Sequence, residues 1–306
     1  MPDSLAPIVL FVHARPEHAR RTLEALASNA LAAKSDLWIY ADGARNEAEA
    51  GRVRAVRDIV RQASGFRSVT LVERESNYGL ARNIIEGVSE VCERHGRVIV
   101  LEDDVVTSRG FLAFMNAALD RYKDEPRVWH VSGWNYPIDP SGLGDAFFWR
   151  AMNCWGWATW SDRWRRFRKA PIELIQAWDR ASIARFNLGG AHDFWRQVKE
   201  NATGQRDTWA IFWYASIFEN GGLCLNPARS FVRNIGHDGS GENCGRSDAF
   251  LAAHLAETFE RFPAEVEESV LAVQRVQAFY SGMRRSFIQQ MLGCVRRLAS
   301  AMGGRW

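Results

Sequence analysis

The first 132 residues alternate short apolar runs with amphipathic stretches. This alternation predicts an α/β fold in which a mostly parallel, Rossmann-like sheet is flanked by helices. The runs interpreted as strands are 8–12, 37–40, 69–72, 97–101 and 128–132. Helices are predicted from Pro16, whose fixed φ suits a first helical turn, and then near 53–60, 80–94 and 111–122. Apolar residues at helical spacing mark the buried faces of the first two helices: Leu23, Leu26, Ala27, Ala30, Val53, Val56 and Val60.

Residues 133–165 have a different character, because Gly, Pro, Asn and Trp dominate and regular periodicity is lost. A long functional loop region is predicted there. Beyond it the pattern predicts helices at 172–178 and 208–219, a short strand at 223–225, a Gly-rich loop at 234–245 and a final helix from Glu265 to about Met302. The predicted organisation is one domain over 1–245, with halves at 1–132 and 133–245, and a helical C-terminal extension over 246–306.

Polar side chains follow the predicted strands at the points where these strands end. They are His13 with Arg15, Asp42, Glu73 near Asn77, and the run Glu102-Asp103-Asp104. In open α/β sheets, ligands bind at the carboxyl ends of the strands. The sequence therefore predicts a polar, acidic binding site at this edge of the sheet.

Three adjacent acids after an apolar strand raise one another's pKa unless a cation neutralises them. A divalent metal would remove that cost, and hard oxygen ligands favour Mg²⁺ or Mn²⁺. The structural alternative is a solvated acidic turn that caps a helix starting near Ser108.

The chain has 306 residues, of which 47% are hydrophobic and 25% charged, and a net charge of +3. One elaborated domain or two small ones would fit this length. Only four of its 39 Lys and Arg residues are lysines; so many guanidinium groups suit phosphate-bearing ligands but do not require nucleic acid. The five cysteines are widely spaced, which favours a reduced protein. The sequence shows neither a signal-peptide pattern nor an apolar run long enough to span a membrane, which favours a cytoplasmic one.

Tryptophan is unusually frequent, and eight of the 13 Trp residues lie between Trp129 and Trp178. Aromatic faces stack on sugar rings and bases, so this density fits a broad binding cleft. Plain packing in the core explains it equally well.

Four motifs in order resemble the GT-A-fold nucleotide-sugar glycosyltransferases of the large family 2-like group. They are the segments 12–18 (VHARPEH), 41–43 (ADG), 77–83 (NYGLARN) and 101–104 (LEDD). The resemblance covers about residues 7–135 well and the rest loosely. It implies an enzyme that transfers a sugar from a nucleotide-sugar donor to a glycan or lipid-linked acceptor, in bacterial surface polysaccharide biosynthesis.

The same resemblance assigns roles on the donor side. It implies that His13 and Arg15 lie in the loop that closes over the nucleotide base, that Asp42 contacts the base, and that Asn77 and Arg82 lie near base and ribose. The acidic run stands in for an Asp-x-Asp motif and resembles the Glu-Asp-Asp form of some N-acetylglucosaminyltransferases. Glu102 and Asp103 then face ribose and donor sugar, and Asp104 is the metal ligand.

On the acceptor side, inverting transfer needs a base that takes the hydroxyl proton. Family members place a carboxylate before a helix after the acceptor loop, and Asp207 fits that position, with Trp209 beside it. An N-cap is the alternative for this Asp.

The loop Trp155-Gly156-Trp157 resembles the aromatic loop of the sugar pocket, and its alternative is a loop that only packs on the sheet. His237, in a Gly-rich loop, resembles a C-terminal histidine that completes the metal shell, but an exposed loop histidine is the alternative.

Arginines alternate with apolar residues in the predicted last helix. A helix of this kind could contact an anionic inner membrane, where a lipid-linked acceptor would be found. Packing on the core or on a second subunit is the favoured alternative.

Two rival functions stay open at this stage. A sugar-1-phosphate nucleotidyltransferase also uses acidic metal ligands, but its Gly-rich loop after the first strand is not matched by His13-Ala14-Arg15-Pro16. An inactive homologue that binds only nucleotide or glycan is the other.

Overall fold

The computed structural model describes residues 5–239, 249–251 and 254–284. Its strands are β1 (Ile8–Val12), β2 (Asp36–Ala41), β3 (Ser68–Glu73), β4 (Arg97–Glu102), β5 (Val105–Thr107), β6 (Val128–Ser132), β7 (Ala146–Trp149), β8 (Trp157–Trp160), β9 (Leu223–Pro227) and β10 (Val232–Asn234). Its helices are α1 (Pro16–Ala27), α2 (Glu47–Val60), α3 (Leu80–His95), α4 (Phe111–Arg121), α5 (Ser161–Trp164), α6 (Pro171–Ala177), α7 (Arg180–Phe186), α8 (Trp195–Ala202), α9 (Ala210–Glu219) and α10 (270–284).

The central sheet has eight strands in the order β3-β2-β1-β4-β8-β6-β9-β7. Strands β8 and β7 run antiparallel to their neighbours, and the other strands share one direction. Helices flank the sheet, with α1 against α2 and α3 against β1 and β4. The predicted α/β class with a mostly parallel sheet is confirmed.

Every residue of β1 is buried, as a central parallel strand covered on both faces requires. The strand predictions for 8–12 and 128–132 are confirmed at their full length, and the others extend by one or two residues. One detail of the first helix is wrong: α1 ends at Ala27, and Ala30 is exposed. The chain turns there because Asn29 enters the interior, where its side-chain nitrogen donates to Thr107 Oγ1 (2.9 Å).

The predicted loop over 133–165 is wrong in part, because it contains β7, β8 and α5. Each of the two strands has four residues, all buried, so neither shows the alternation typical of a half-exposed strand. Strand β8 completes the sheet between β4 and β6, partners far away in sequence. Helices α7 and α8 were not predicted either.

The C-terminal part differs from the prediction at its start. Residues 254–269 are irregular rather than helical, and the helix begins at 270 instead of Glu265. Ala256 N donates to Ser230 O (2.8 Å) and Ser269 N to Phe148 O (2.8 Å), so this segment is bound along the sheet domain. The predicted continuation to Met302 lies outside the described residues. None of the helices in the described part combines the length and apolar character needed to cross a membrane.

Candidate functional site

The candidate site forms where β1, β2 and β4 end at the same edge of the sheet. Val12 is in register with Ala41 of β2, and Phe11 is in register with Glu102 of β4. The residues that follow these strand ends are therefore neighbours: His13, Asp42 and Asp103.

A cavity of about 830 Å³ opens at this edge. We call one part of its lining the Asp42 wall (His13, Asp42, Asn77 and Gly79) and another part the Asp207 wall (Trp155, Asp207, Thr208 and Trp209). Arg15 and the acidic cluster, Glu102 to Asp104, also line it. Its volume lies in the range of small-molecule and cofactor sites.

Arg15 supplies positive charge to the acidic cluster. Asp103 and Asp104 are 4% and 7% exposed. The Arg15 guanidinium forms ion pairs with both carboxylates, and its Nη2 lies 3.0 Å from Asp104 Oδ2. Thr22 Oγ1 also donates to the main-chain oxygen of Asp103 (2.7 Å), which fixes the turn to α1.

Burial and mutual repulsion change the titration of these acids. Burial, with the charges of Asp104 and Asp103, raises the pKa of Glu102 to about 8. Burial also raises the pKa of Asp103, although the charge of Arg15 opposes the rise. The cluster is therefore stabilised by added positive charge.

The segment after β10 closes against Asp104. Strand β10 pairs antiparallel with β5, and Ile235 N then donates to Asp104 O (2.8 Å). Asn234 Oδ1 accepts from Gly236 N (2.7 Å). A Cβ at Gly236 would overlap the Asp104 carboxylate, so a larger residue here would displace that side chain.

His237 follows this segment but is not among the described residues that line the cavity. Its ring stacks on Phe250, with centroids 5.8 Å apart, and meets Trp155 edge-on at 5.2 Å. Its proposed metal contact therefore stays a prediction.

The carboxylates fit a divalent cation only in part. Mg²⁺ at nucleotide sites is commonly held by one or two carboxylates, with water and phosphate oxygens completing the shell. Asp103 and Asp104 offer that donor set. No group of three or more His, Cys, Asp or Glu side chains is arranged to hold a metal within residues 5–239, 249–251 and 254–284.

On the Asp42 wall, one buried carboxylate organises the loop that opens α3. Asp42 Oδ1 accepts from Gly43 N (2.9 Å) and Tyr78 N (2.8 Å). Asp42 Oδ2 accepts from Gly79 N (3.0 Å) and Asn77 Nδ2 (3.1 Å). These four bonds fill the acceptor positions of a carboxylate.

His13 and Asn77 meet at one main-chain oxygen on this wall. His13 Nε2 lies 3.0 Å from Gly43 O, and Asn77 Nδ2 donates to the same oxygen at 2.8 Å. His13 Nε2 donates to Gly43 O in the ring tautomer that carries its proton on this nitrogen. Both side chains thus line the cavity at the place where the sequence predicted a nucleotide contact.

Arg82 is placed differently from the prediction. Its Nε donates to Glu86 Oε1 (2.7 Å), and its guanidinium lies 3.9 Å from the Tyr78 ring centroid. Arg74 covers the same ring at 4.5 Å. Arg82 is not among the described residues that line the cavity, so the structure brings it to the loop but not to the site.

Asp207, on the other wall, is accessible. Its side chain is 70% exposed and forms an ion pair with Lys169 Nζ. Helix α9 begins at Ala210, and its N-cap residue is Trp209, without a side-chain cap bond. The alternative that Asp207 caps this helix is therefore wrong.

The tryptophans mostly form core. Trp157 is 1% exposed and stacks between Trp209 (5.1 Å) and His130 (5.4 Å). Gly156 has φ +62°, and its oxygen accepts from the main-chain nitrogen of Gly133 (2.6 Å). Neither Gly156 nor Trp157 is among the described residues lining the cavity, whereas Trp155 and Trp209 are. Packing, rather than a broad aromatic cleft, explains most of this cluster.

Several lining residues were not predicted from the sequence: Glu17, His18, Arg45, Glu49, Arg52, Gln197 and Arg206. His18 lies one helical turn beyond Arg15, and that spacing alone could have indicated it. Gln197 was missed together with its helix, α8, whose buried face consists only of Trp195 and Val198.

Similarity to known proteins is found among solved structures. No family model matches the chain, and no curated protein matches it. Among solved structures, the chain is similar to the mannosyltransferase PcManGT from Pyrobaculum calidifontis, solved in complex with GDP-Man and Mn²⁺. The identity is 15%, the match covers 72% of this chain and 70% of that chain, and the TM-score is 0.39. A likeness this distant assigns neither family nor function.

Proposed function

We propose that this protein is a nucleotide-sugar glycosyltransferase of GT-A type. One observation carries the proposal: the acidic cluster, the Asp42 wall and the Asp207 wall line a single cavity of about 830 Å³ at the carboxyl edge of the sheet. A nucleotide, a diphosphate and an acceptor hydroxyl need separate sets of polar groups, and the cavity offers three such sets. The four motifs of the sequence resemblance fall on the same edge.

In the proposed complex the nucleotide lies on the Asp42 wall and the diphosphate lies beside Arg15 and the acidic cluster. Asp104, with Asp103 beside it, would hold Mn²⁺ or Mg²⁺, and the bound cation would supply positive charge that stabilises the departing diphosphate. Arg15 contributes a fixed positive charge at the same place.

The transfer step uses the Asp207 wall. The Asp207 carboxylate would take the proton of the acceptor hydroxyl while that oxygen bonds to the anomeric carbon. The bond from this carbon to the diphosphate oxygen breaks, and its electron pair leaves with the diphosphate. Attack from the side opposite the leaving group inverts the anomeric centre. The exposure of Asp207 suits an acceptor that arrives from solvent.

We propose a hexose or N-acetylhexosamine as the transferred sugar and a glycan or lipid-linked glycan of a bacterial surface polysaccharide as the acceptor. The sequence resemblance supports this substrate class. Contact of the last helix with the membrane belongs to the same proposal.

A second candidate is binding without turnover. Both predicted working carboxylates already have cationic partners, Asp104 with Arg15 and Asp207 with Lys169. A chain that only binds nucleotide or glycan could retain these pairs permanently.

One assay separates the two candidates. The protein is incubated with UDP-, GDP- and dTDP-sugars and CMP-sugars, with Mn²⁺ or with chelator, and with varied glycan acceptors. Release of free nucleotide together with a glycosylated product, whose anomeric configuration is read by NMR, supports the transferase. Nucleotide binding without release under all these conditions contradicts it and supports the binding protein.

A further inference from the structure

We infer that Asp42 is a positioning residue for the 76–79 loop and does not itself read the nucleotide base. The inference rests on the proposed function, because it concerns how the Asp42 wall would hold a nucleotide. It differs from the role implied by the sequence resemblance, in which this Asp contacts the base.

The first argument is the occupancy of the carboxylate. Both Asp42 oxygens accept two bonds each, from three main-chain N–H groups and one side-chain amide, at 2.8 to 3.1 Å. A carboxylate offers about four acceptor positions. A base N–H could bind Asp42 only by displacing one of these donors, of which Gly43 N is buried and the other three are part-buried.

The second argument is burial. Asp42 is 4% exposed. Its main-chain nitrogen is also fixed, donating to Val12 O (3.0 Å) at the end of β1. The carboxylate is therefore held rigidly between the sheet and the 76–79 loop, and an acid in that position acts through the loop.

The third argument is steric. A Cβ at Gly43 would overlap the Ser76 main chain, so the loop lies directly on the residue after Asp42. Gly79, with φ +73°, then starts α3. The loop position, and with it the position of Asn77 on the cavity wall, depends on this contact and on the Asp42 bonds.

The assignment leaves recognition of the base to other residues of the wall. Asn77 commits its amide nitrogen to Asp42 and to Gly43 O. Its amide oxygen is then the group left for a ligand, and its amide nitrogen lies 3.3 Å from His13 Nε2.

The test compares Asp42→Asn with Asp36→Asn. Asp36 is the first residue of the same strand, and its carboxylate binds Arg67 and Ser68 on the surface, far along β2 from the cavity. Affinities for UDP, GDP, dTDP and CMP are measured by calorimetry, and exchange of the Tyr78 and Gly79 amide protons is followed by NMR.

Asp42→Asn should lower the affinity for every nucleotide that the wild type binds by a similar factor, about tenfold or more. The reason is that the new amide NH₂ group faces two of the N–H donors and cannot accept their hydrogen bonds. The Tyr78 and Gly79 amides should exchange at least about tenfold faster, in the absence of any nucleotide. Asp36→Asn should change neither property. Loss of affinity for one base only, unchanged affinity, or unchanged exchange of both amides would each overturn the inference.

Gly43→Ala is the second variant, in case Asp42→Asn does not fold. It keeps the Asp42 carboxylate and displaces the loop, so the inference requires the same uniform loss of affinity. Wild-type affinity in Gly43→Ala would overturn it. If the wild type binds none of the nucleotides, the proposed function fails, while the amide exchange in Asp42→Asn still decides whether Asp42 holds the loop.

Discussion

The Asp42 wall and the Asp207 wall line the same cavity but are built in opposite ways. Asp42 is 4% exposed, and its carboxylate accepts three hydrogen bonds from the 76–79 loop and one from Gly43 N. Asp207 has a side chain that is 70% exposed and is held by an ion pair with Lys169. Groups fixed before a ligand arrives bind it without a further cost of ordering. The first wall is therefore fixed in place without a ligand, whereas the second leaves a carboxylate accessible to solvent.

The largest effect is expected at Asp207. Asp207→Asn removes the proposed base, so kcat should fall about 10²- to 10⁴-fold while nucleotide affinity is unchanged. Steady-state kinetics and calorimetry with the same donor measure both. Asp58→Asn, at an exposed acid that also pairs with a cation, is the control. Near-normal transfer by Asp207→Asn would place the base elsewhere.

A loss of about 10²- to 10³-fold in kcat/KM is expected for Asp104→Asn, because charge on the leaving diphosphate is less well stabilised. The stimulation of activity by Mn²⁺ should disappear in the same variant. Titration of Mn²⁺ against wild type and variant checks this. A variant with full activity and an unchanged Mn²⁺ response would refute the metal role of Asp104.

A smaller effect is expected at Lys169, which positions Asp207. Lys169→Met should lower kcat about tenfold with little change in the donor KM, because the carboxylate loses its orientation. Lys169→Arg should restore most of the rate. Lys199→Met, at an exposed lysine on α8, serves as the matched control. Equal rates in the two Met variants would show that the ion pair has no part in transfer.

The smallest effect concerns stability rather than activity. The pKa of Glu102 is raised from 4.5 to about 8, so between these values the folded chain binds a proton that the unfolded chain does not. The stabilisation of the folded state by this proton is complete below pH 4.5 and is lost as the pH rises through 8. Gln has no proton to lose in this range. Between pH 6 and pH 8.5, the free energy of unfolding of metal-free Glu102→Gln should therefore fall by about 1–2 kcal/mol less than that of the wild type. Thermal melting at several pH values measures it, and parallel curves for variant and wild type would contradict the raised pKa.

Local sequence patterns were sufficient for the first half of the sheet, strands β1 to β4. Strand β1 is a continuous apolar run because it is buried on both faces, and Pro16 marks the start of α1. Because parallel strands end at one edge, the neighbourhood of His13, Asp42 and Asp103 followed from strand order alone. Contacts between residues far apart in sequence could not be predicted from these local patterns.

The parts that the sequence could not predict depend on distant partners. Strand β8 has four residues and owes its existence to pairing with β4 and β6. The ion pairs of Arg15 with Asp103 and of Lys169 with Asp207 join residues 88 and 38 positions apart. Trp157 carries the same local signal as Trp155, yet only the structure shows that one is core and the other lines the cavity.

The central claim is that the cavity binds a nucleotide through the Asp42 wall and the acidic cluster. Thermal melting with UDP, GDP, dTDP and CMP, each with and without Mn²⁺, tests it most directly, because a ligand that binds only the folded state raises its stability. At about 100 times its Kd, a bound nucleotide should add about 2.7 kcal/mol, or several degrees in Tm. The account predicts such a shift for at least one nucleotide, larger with Mn²⁺, and loss of the Mn²⁺-dependent part in Asp104→Asn. Unchanged Tm with every nucleotide, with and without Mn²⁺, would contradict it.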